Sequence, residues 1–147
     1  MRITQLKASL LLFTLTGCLH SSPDAAVLAP LADHLTPFNQ STQPEHLVFA
    51  DQLTATVFKS LRSDARYKIV PNSTRLLCPS EAAEGPQGYE LRTRVNQLMG
   101  DTAIATVERI CGAPGGAISR GENILLVRQS GKWRIEKVIS GFSKMAM

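Results

Sequence analysis

Aromatic residues are scarce in this chain: they make up 5% of 147 residues, with one Trp, two Tyr and five Phe. So few flat rings argue against a surface that stacks bases or sugars. Charge of one sign is lacking too. The formal net charge is +4, but Arg2 and Lys7 sit in what reads as a removable leader, and without them 14 basic residues face 12 acidic ones, a net +2. A phosphate-backbone binder needs a dense basic stripe, so nucleic acid is not an expected partner. Histidine is limited to His20, His34 and His46, all before or at the start of the folded part. That leaves no imidazole base, no Ser-His-Asp set and no Cys-His set for catalysis. Gly112 to Gly116 is glycine-rich but lacks a following Lys-Ser/Thr, so it is no phosphate cradle. What remains is 44% hydrophobic and 19% charged, a globular balance with length for one core rather than two.

The leader is the most informative segment. Residues 1–7 carry two positive charges and no negative one, and residues 8–17 are uncharged and largely apolar. This is the order of a secretory signal, and it is too short to span a bilayer. The run ends in Leu15-Thr16-Gly17-Cys18, where the sequence resembles the bacterial lipoprotein signal, the lipobox. The resemblance covers the first eighteen residues. It implies that Cys18 is acylated, with palmitate the expected kind of chain, and becomes the first residue of the mature protein. One acyl chain anchors marginally, at roughly 0.8 kcal/mol per buried methylene, whereas two or three hold firmly. Leu19 rather than Asp follows the cysteine, so the resemblance favours the outer membrane, with the domain facing the periplasm. The plainer alternative is an ordinary signal peptide with an incidental cysteine.

The expected organisation is a signal peptide over 1–17, an acylated cysteine and flexible tether over 18–44, one domain over 45–142 and a tail over 143–147. The tether carries Pro23, Pro30, Pro37 and Pro44; within it Val27, Leu28, Leu31 and Leu35 would share a face if a short helix formed. Thr42 and Glu45 stand at capping-box spacing. Leu47, Ala50, Leu53 (or Thr54), Val57, Phe58 and Leu61 then recur at helical spacing, predicting an amphipathic helix of about twenty residues. Strand signals follow: Tyr89, Leu91, Thr93 and Val95 alternate with polar residues, Gly100-Asp101 marks a turn, and Ser130-Gly131 marks a hairpin. Trp133, Ile135, Lys137 and Ile139 are expected on one face of the last strand. The expected fold class is α+β, one long N-terminal amphipathic helix packed on a curved antiparallel β-meander.

Cys78 and Cys111 remain after Cys18 is acylated, an even number for an oxidising compartment. A structural disulfide is the expected reading, stabilising by roughly 4 kcal/mol through loop closure. A redox-active pair usually spaces its thiols two apart, and a metal site would want histidine or more cysteine nearby. No metal or cofactor is expected.

Gly131-Lys132-Trp133-Arg134-Ile135 is similar to the Gly-x-Trp-x-Ile hairpin of the nuclear transport factor 2-like superfamily, and Gly100-Asp101-Thr102-Ala103 to its Gly-Asp-x-Ala turn. The resemblance covers residues 45–142 and implies a cystatin-like cone, found in isomerases, dehydratases, ligand binders and interacting domains alike. The carboxylates here fall on polar faces, so no enzyme is expected. Two readings remain. In the first the domain is a non-catalytic interaction or adaptor module for an envelope protein, working through a sheet face or edge. In the second it holds a small apolar ligand or lipid in a cavity lined by Tyr89, Leu91, Val95, Val107, Leu126 and Ile135. Arg92 and Arg94 would form a basic patch with Arg109, Arg128 or Arg134 if those strands face one way; a merely solvated sheet face is the plainer reading. The lipoprotein expectation is checked by Cys18→Ala, which should move the protein from the membrane to the soluble fraction on cell fractionation; unchanged retention would contradict it.

Overall fold

The structure is a computed structural model that describes residues 23–38, 42–80 and 84–147. The lipobox and Cys18 lie outside the described residues. The chain runs through α1 (Pro23–Leu28), α2 (Leu31–His34), β1 (Glu45–Phe49), α3 (Gln52–Val57), a 3-10 helix (Lys59–Ser63) and β2 (Tyr67–Ile69). Four long strands follow: β3 (Gly88–Met99), β4 (Thr102–Ala113), β5 (Gly116–Gln129) and β6 (Lys132–Ala146). All six strands form one mixed sheet in the order β2-β1-β3-β4-β5-β6.

The long N-terminal helix is not there. Leu47, Val48 and Phe49 form a continuous apolar run, and all three are buried. A strand packed on both faces reads this way, and β1 is such a strand, parallel to β2 on one side and to β3 on the other. Its residues also satisfy helical spacing, which is why periodicity alone misassigns them. The helix starts at Asp51 instead of at Thr42: the Asp51 carboxylate accepts a hydrogen bond from Thr54 N at 2.7 Å and caps α3. Thr93 N in turn donates to Thr54 Oγ1 at 3.1 Å, pinning α3 to β3. Because parallel neighbours cannot be joined by a hairpin, α3 and the 3-10 helix serve as the crossover from β1 to β2. The sheet is therefore mixed, and only β3 to β6 form the antiparallel meander. Gly88 allows the junction of its two parts, because a Cβ there would collide with the His46 carbonyl across the ladder.

Residues 23–38 belong to the fold, although they fall in the stretch expected as a tether. The shared face of Val27, Leu28, Leu31 and Leu35 is buried, at 0–7% exposure, in one cluster with the sheet. Residues expected as a tail extend β6 to Ala146. The β4–β5 ladder runs on past Cys111 to Ala113↔Gly116, so the glycine-rich stretch is a tight hairpin turn. On β6, Ile124 pairs with Val138 and Asn123 with Ser140, which leaves Ile139 as an extra residue; Glu136 is extra in the same way between Ile135 and Lys137. These bulges overturn the expected alternation, so Lys137 lies opposite Leu125 while Ile135 lies opposite Leu126 on the other face.

Cys78 and Cys111 are joined by a disulfide, with S–S 1.99 Å. Beside it, Cys78 N donates to Gly112 O at 2.9 Å, so the loop leading into β3 is fastened to the end of β4 twice. Replacing both cysteines by alanine should lower the unfolding free energy by about 4 kcal/mol, given the loop length. Urea denaturation would show this as a lower midpoint; an unchanged midpoint would mean the loop is held without the bond.

Candidate functional site

The six residues expected to line a cone do come together, but as packed core. Leu91 and Leu126 are fully buried, Tyr89 and Val107 nearly so, and Val95 and Ile135 pack half-buried against the same cluster. Phe58 and Leu61 join that cluster from the crossover and Val27, Leu28 and Leu31 from α1 and α2. Two short helices absent from the expected fold thus fill the space that a single helix would have left open.

An open cleft of about 480 Å³ lies to one side, between the α2–Phe38 segment and strands β4 to β6. Of the six residues only Val107 lines it. Its sheet wall follows from the ladder. Val107 stands opposite Glu122 and Glu122 opposite Gly141, while the next row is Arg109, Arg120 and Ser143. Leu31, His34, Leu35 and Phe38 form the facing wall. His34 Nε2 lies 2.8 Å from Glu122 Oε2, bridging the two walls.

Arg109 and Glu45 are the chemical centre of this region. Their side chains are only 8% and 4% exposed, with Nη1 and Oε1 3.5 Å apart. Arg109 Nη2 donates to Thr36 O, and Phe38 N donates to Glu45 Oε2 at 3.3 Å. The Phe38 ring covers the guanidinium, 4.0 Å from Cζ to the ring centre, and meets Tyr89 at 5.1 Å. Glu45 Oε1 and Arg109 Nη1 are both buried without a hydrogen-bond partner, so their attraction is Coulombic. Burial raises the Glu45 carboxyl above its usual range, against the opposing pull of Arg109 and the Phe38 amide. Burial also lowers Arg109 and raises the Tyr67 and Tyr89 hydroxyls. Arg109 keeps its charge across physiological pH all the same. Sequence reasoning placed Glu45 in a helix cap and Arg109 in a surface patch; nothing in either residue's neighbours in the chain marks them as partners.

The expected arginine patch is divided between the two faces of the sheet. Arg92 and Arg94 stand opposite Glu108 and Thr106 on the outer face, and Arg134 stands opposite Val127 there. Arg109 pairs with Leu91 on the core face. Arg128, opposite Trp133, lies over its ring at 5.6 Å and bonds Asp101 at 2.8 Å. The outer face instead carries a polar row across four strands. Asn96 Nδ2 donates to Thr106 Oγ1 at 2.5 Å, Thr106 Oγ1 to Asn123 Oδ1 at 2.8 Å, and Asn123 Nδ2 to Ser140 Oγ at 3.0 Å. No three His, Cys, Asp or Glu side chains among the described residues group to hold a metal.

No protein-family model, curated protein or solved structure matches the chain.

Because the Glu45 carboxyl is raised, in the pH window between its unfolded and folded values the folded chain keeps a proton that the unfolded chain has lost. Its contribution to stability is full at acid pH and falls as pH rises from the ordinary carboxylate range through its raised value. Glu45→Gln should flatten that part of the stability–pH profile. Arg109→Met should cost about 3–5 kcal/mol by stranding the carboxylate, and the Glu45→Gln/Arg109→Met pair less. Urea melts across pH would measure all three; equal losses for the single and paired Arg109 variants would contradict the coupling.

Proposed function

We propose that this chain is an envelope lipoprotein, anchored through an acylated Cys18 in the outer membrane and facing the periplasm, whose domain is a non-catalytic interaction module for an envelope protein. The carrying observation is the free edge of β6. This strand runs fifteen residues along one border of the sheet, with no strand beyond it among the described residues. Val138 and Ile139 are 42% and 47% exposed along it. A partner's extended segment can add to such an edge by main-chain hydrogen bonds, with side chains supplying selectivity. Lys132, Arg134, Lys137 and Lys144 outnumber Glu136 on the strand, so an acidic segment fits better than a second copy of the same basic edge.

The packed core supports this reading over an apolar ligand held in a cone, since the residues meant to line the cone are in contact with the helices above them. The test is native mass spectrometry of the protein released gently from its own envelope. A stoichiometric protein partner is expected, held by wild type and weakened about tenfold or more by Arg134→Glu with Lys137→Glu. Both positions are exposed, so the fold should tolerate the change. A chain that travels alone, or a complex indifferent to β6, would overturn the reading.

A further inference from the structure

We propose that the cleft between α2 and strands β4 to β6 binds a single-chain amphiphile with an anionic head, a carboxylate or phosphate carried on an acyl tail. This goes beyond the interaction reading and does not rest on it.

The sheet carries a conflict on its cleft face. Arg109 and Arg120 stand directly opposite each other on the same face. A like-charged cross-strand pair weakens an antiparallel sheet, and such a local conflict points to a use. Glu45 answers Arg109 from behind at 3.5 Å. Arg120 is exposed at the cleft and makes no ion pair among the described residues. Glu122, the carboxylate in the cleft wall, is already held by His34 at 2.8 Å. The wall is thus left with unbalanced positive charge at the Arg120 end.

Arg109 lines the same wall, but its guanidinium is already engaged: Nη2 donates to Thr36 O, Nη1 faces Glu45 Oε1 at 3.5 Å, and the Phe38 ring covers it. The charge left for a ligand is that of Arg120. The second observation is the shape of the floor. Gly141 stands opposite Glu122, and a Cβ added there would meet nothing nearer than Gly121 O at 3.8 Å. The floor is bare where a tail would lie. Leu31, Leu35 and Val107 give it apolar walls, and the volume of about 480 Å³ falls within the range of small-molecule sites.

The head therefore sits at Arg120 and the tail runs over Gly141 and Val107. The test uses the full chain, released from membrane in a non-ionic detergent, with native mass spectrometry as readout. Oleate, 1-oleoyl-lysophosphatidate and methyl oleate are the probes. A saturable one-to-one adduct is expected with at least one of the two anions and not with the neutral ester. Oleate alone binding would identify a free fatty carboxylate, and the lysophosphatidate alone a phosphate headgroup. Gly141→Leu should abolish the adduct by filling the floor, and the exposed Arg120→Gln should weaken it roughly tenfold while leaving the fold intact. No adduct with either anion, equal binding of methyl oleate, or binding unaffected by both variants would overturn the proposal. None of those results bears on whether a protein partner holds β6.

Discussion

A carboxylate and a guanidinium buried 3.5 Å apart tie the segment before β1 and the start of β1 to a strand more than sixty residues further on. Glu45 begins β1, Arg109 lies in the middle of β4, and the backbone of Thr36 and Phe38 bonds to both side chains. The pair is where the N-terminal segment is clamped onto the sheet. Taking two charges out of water is expensive, and a well-packed apolar pair would serve stability as well or better. What the ion pair adds is registry, because a misplaced segment would leave a charge buried alone. Phe38, 46% exposed, holds its place by lying on the guanidinium as well as on Tyr89.

That clamp matters because, among the described residues, the sheet has helices on one face only. The core depends on α1 and α2, whose Leu28 and Leu31 are among its most deeply buried side chains. The opposite face is kept in solution by a hydrogen-bonded row from Asn96 to Ser140, in which neutral side chains satisfy one another. The two borders of the sheet differ just as much. β2 is three residues long and offers little to pair with, while β6 offers fifteen. Bulges and lysines on β6 are the usual guards against indiscriminate edge pairing. They restrict which extended segment could pair there without closing the edge.

How much of this was legible in the sequence varies by element. β3 was readable because its first half has one buried and one exposed face, so Tyr89, Leu91 and Thr93 alternate cleanly, and the turns before β4 and β6 were readable from Gly100 and Gly131, which need positive φ, 57° and 76° here. The cysteine pairing was readable from count and compartment. β1 was not, because a strand buried on both faces loses its alternation, and Leu47, Val48 and Phe49 then fit a helix equally well; Asp51 was the local signal that a helix begins only later. The packed state of residues 23–38 was masked by their prolines, although the shared face of Val27, Leu28, Leu31 and Leu35 was visible. The cleft could not be read at all. Its Arg109–Arg120 row and the bare floor at Gly141 depend on ladder register, and register is a tertiary property.

The packing of residues 23–38 also changes what anchoring would mean. If Cys18 carries the lipid, only four residues separate it from α1, and five peptide steps span at most ~18 Å whatever their conformation. A long tether would let the domain sample partners far from the bilayer; this one confines it to a thin layer at the surface. Confinement raises the effective concentration of any partner held in the same membrane, into the millimolar range for short links. An edge-strand contact too weak to persist between free proteins then suffices. The same confinement places the cleft where amphiphilic molecules are most concentrated, so the two proposals draw on one physical circumstance while resting on different residues.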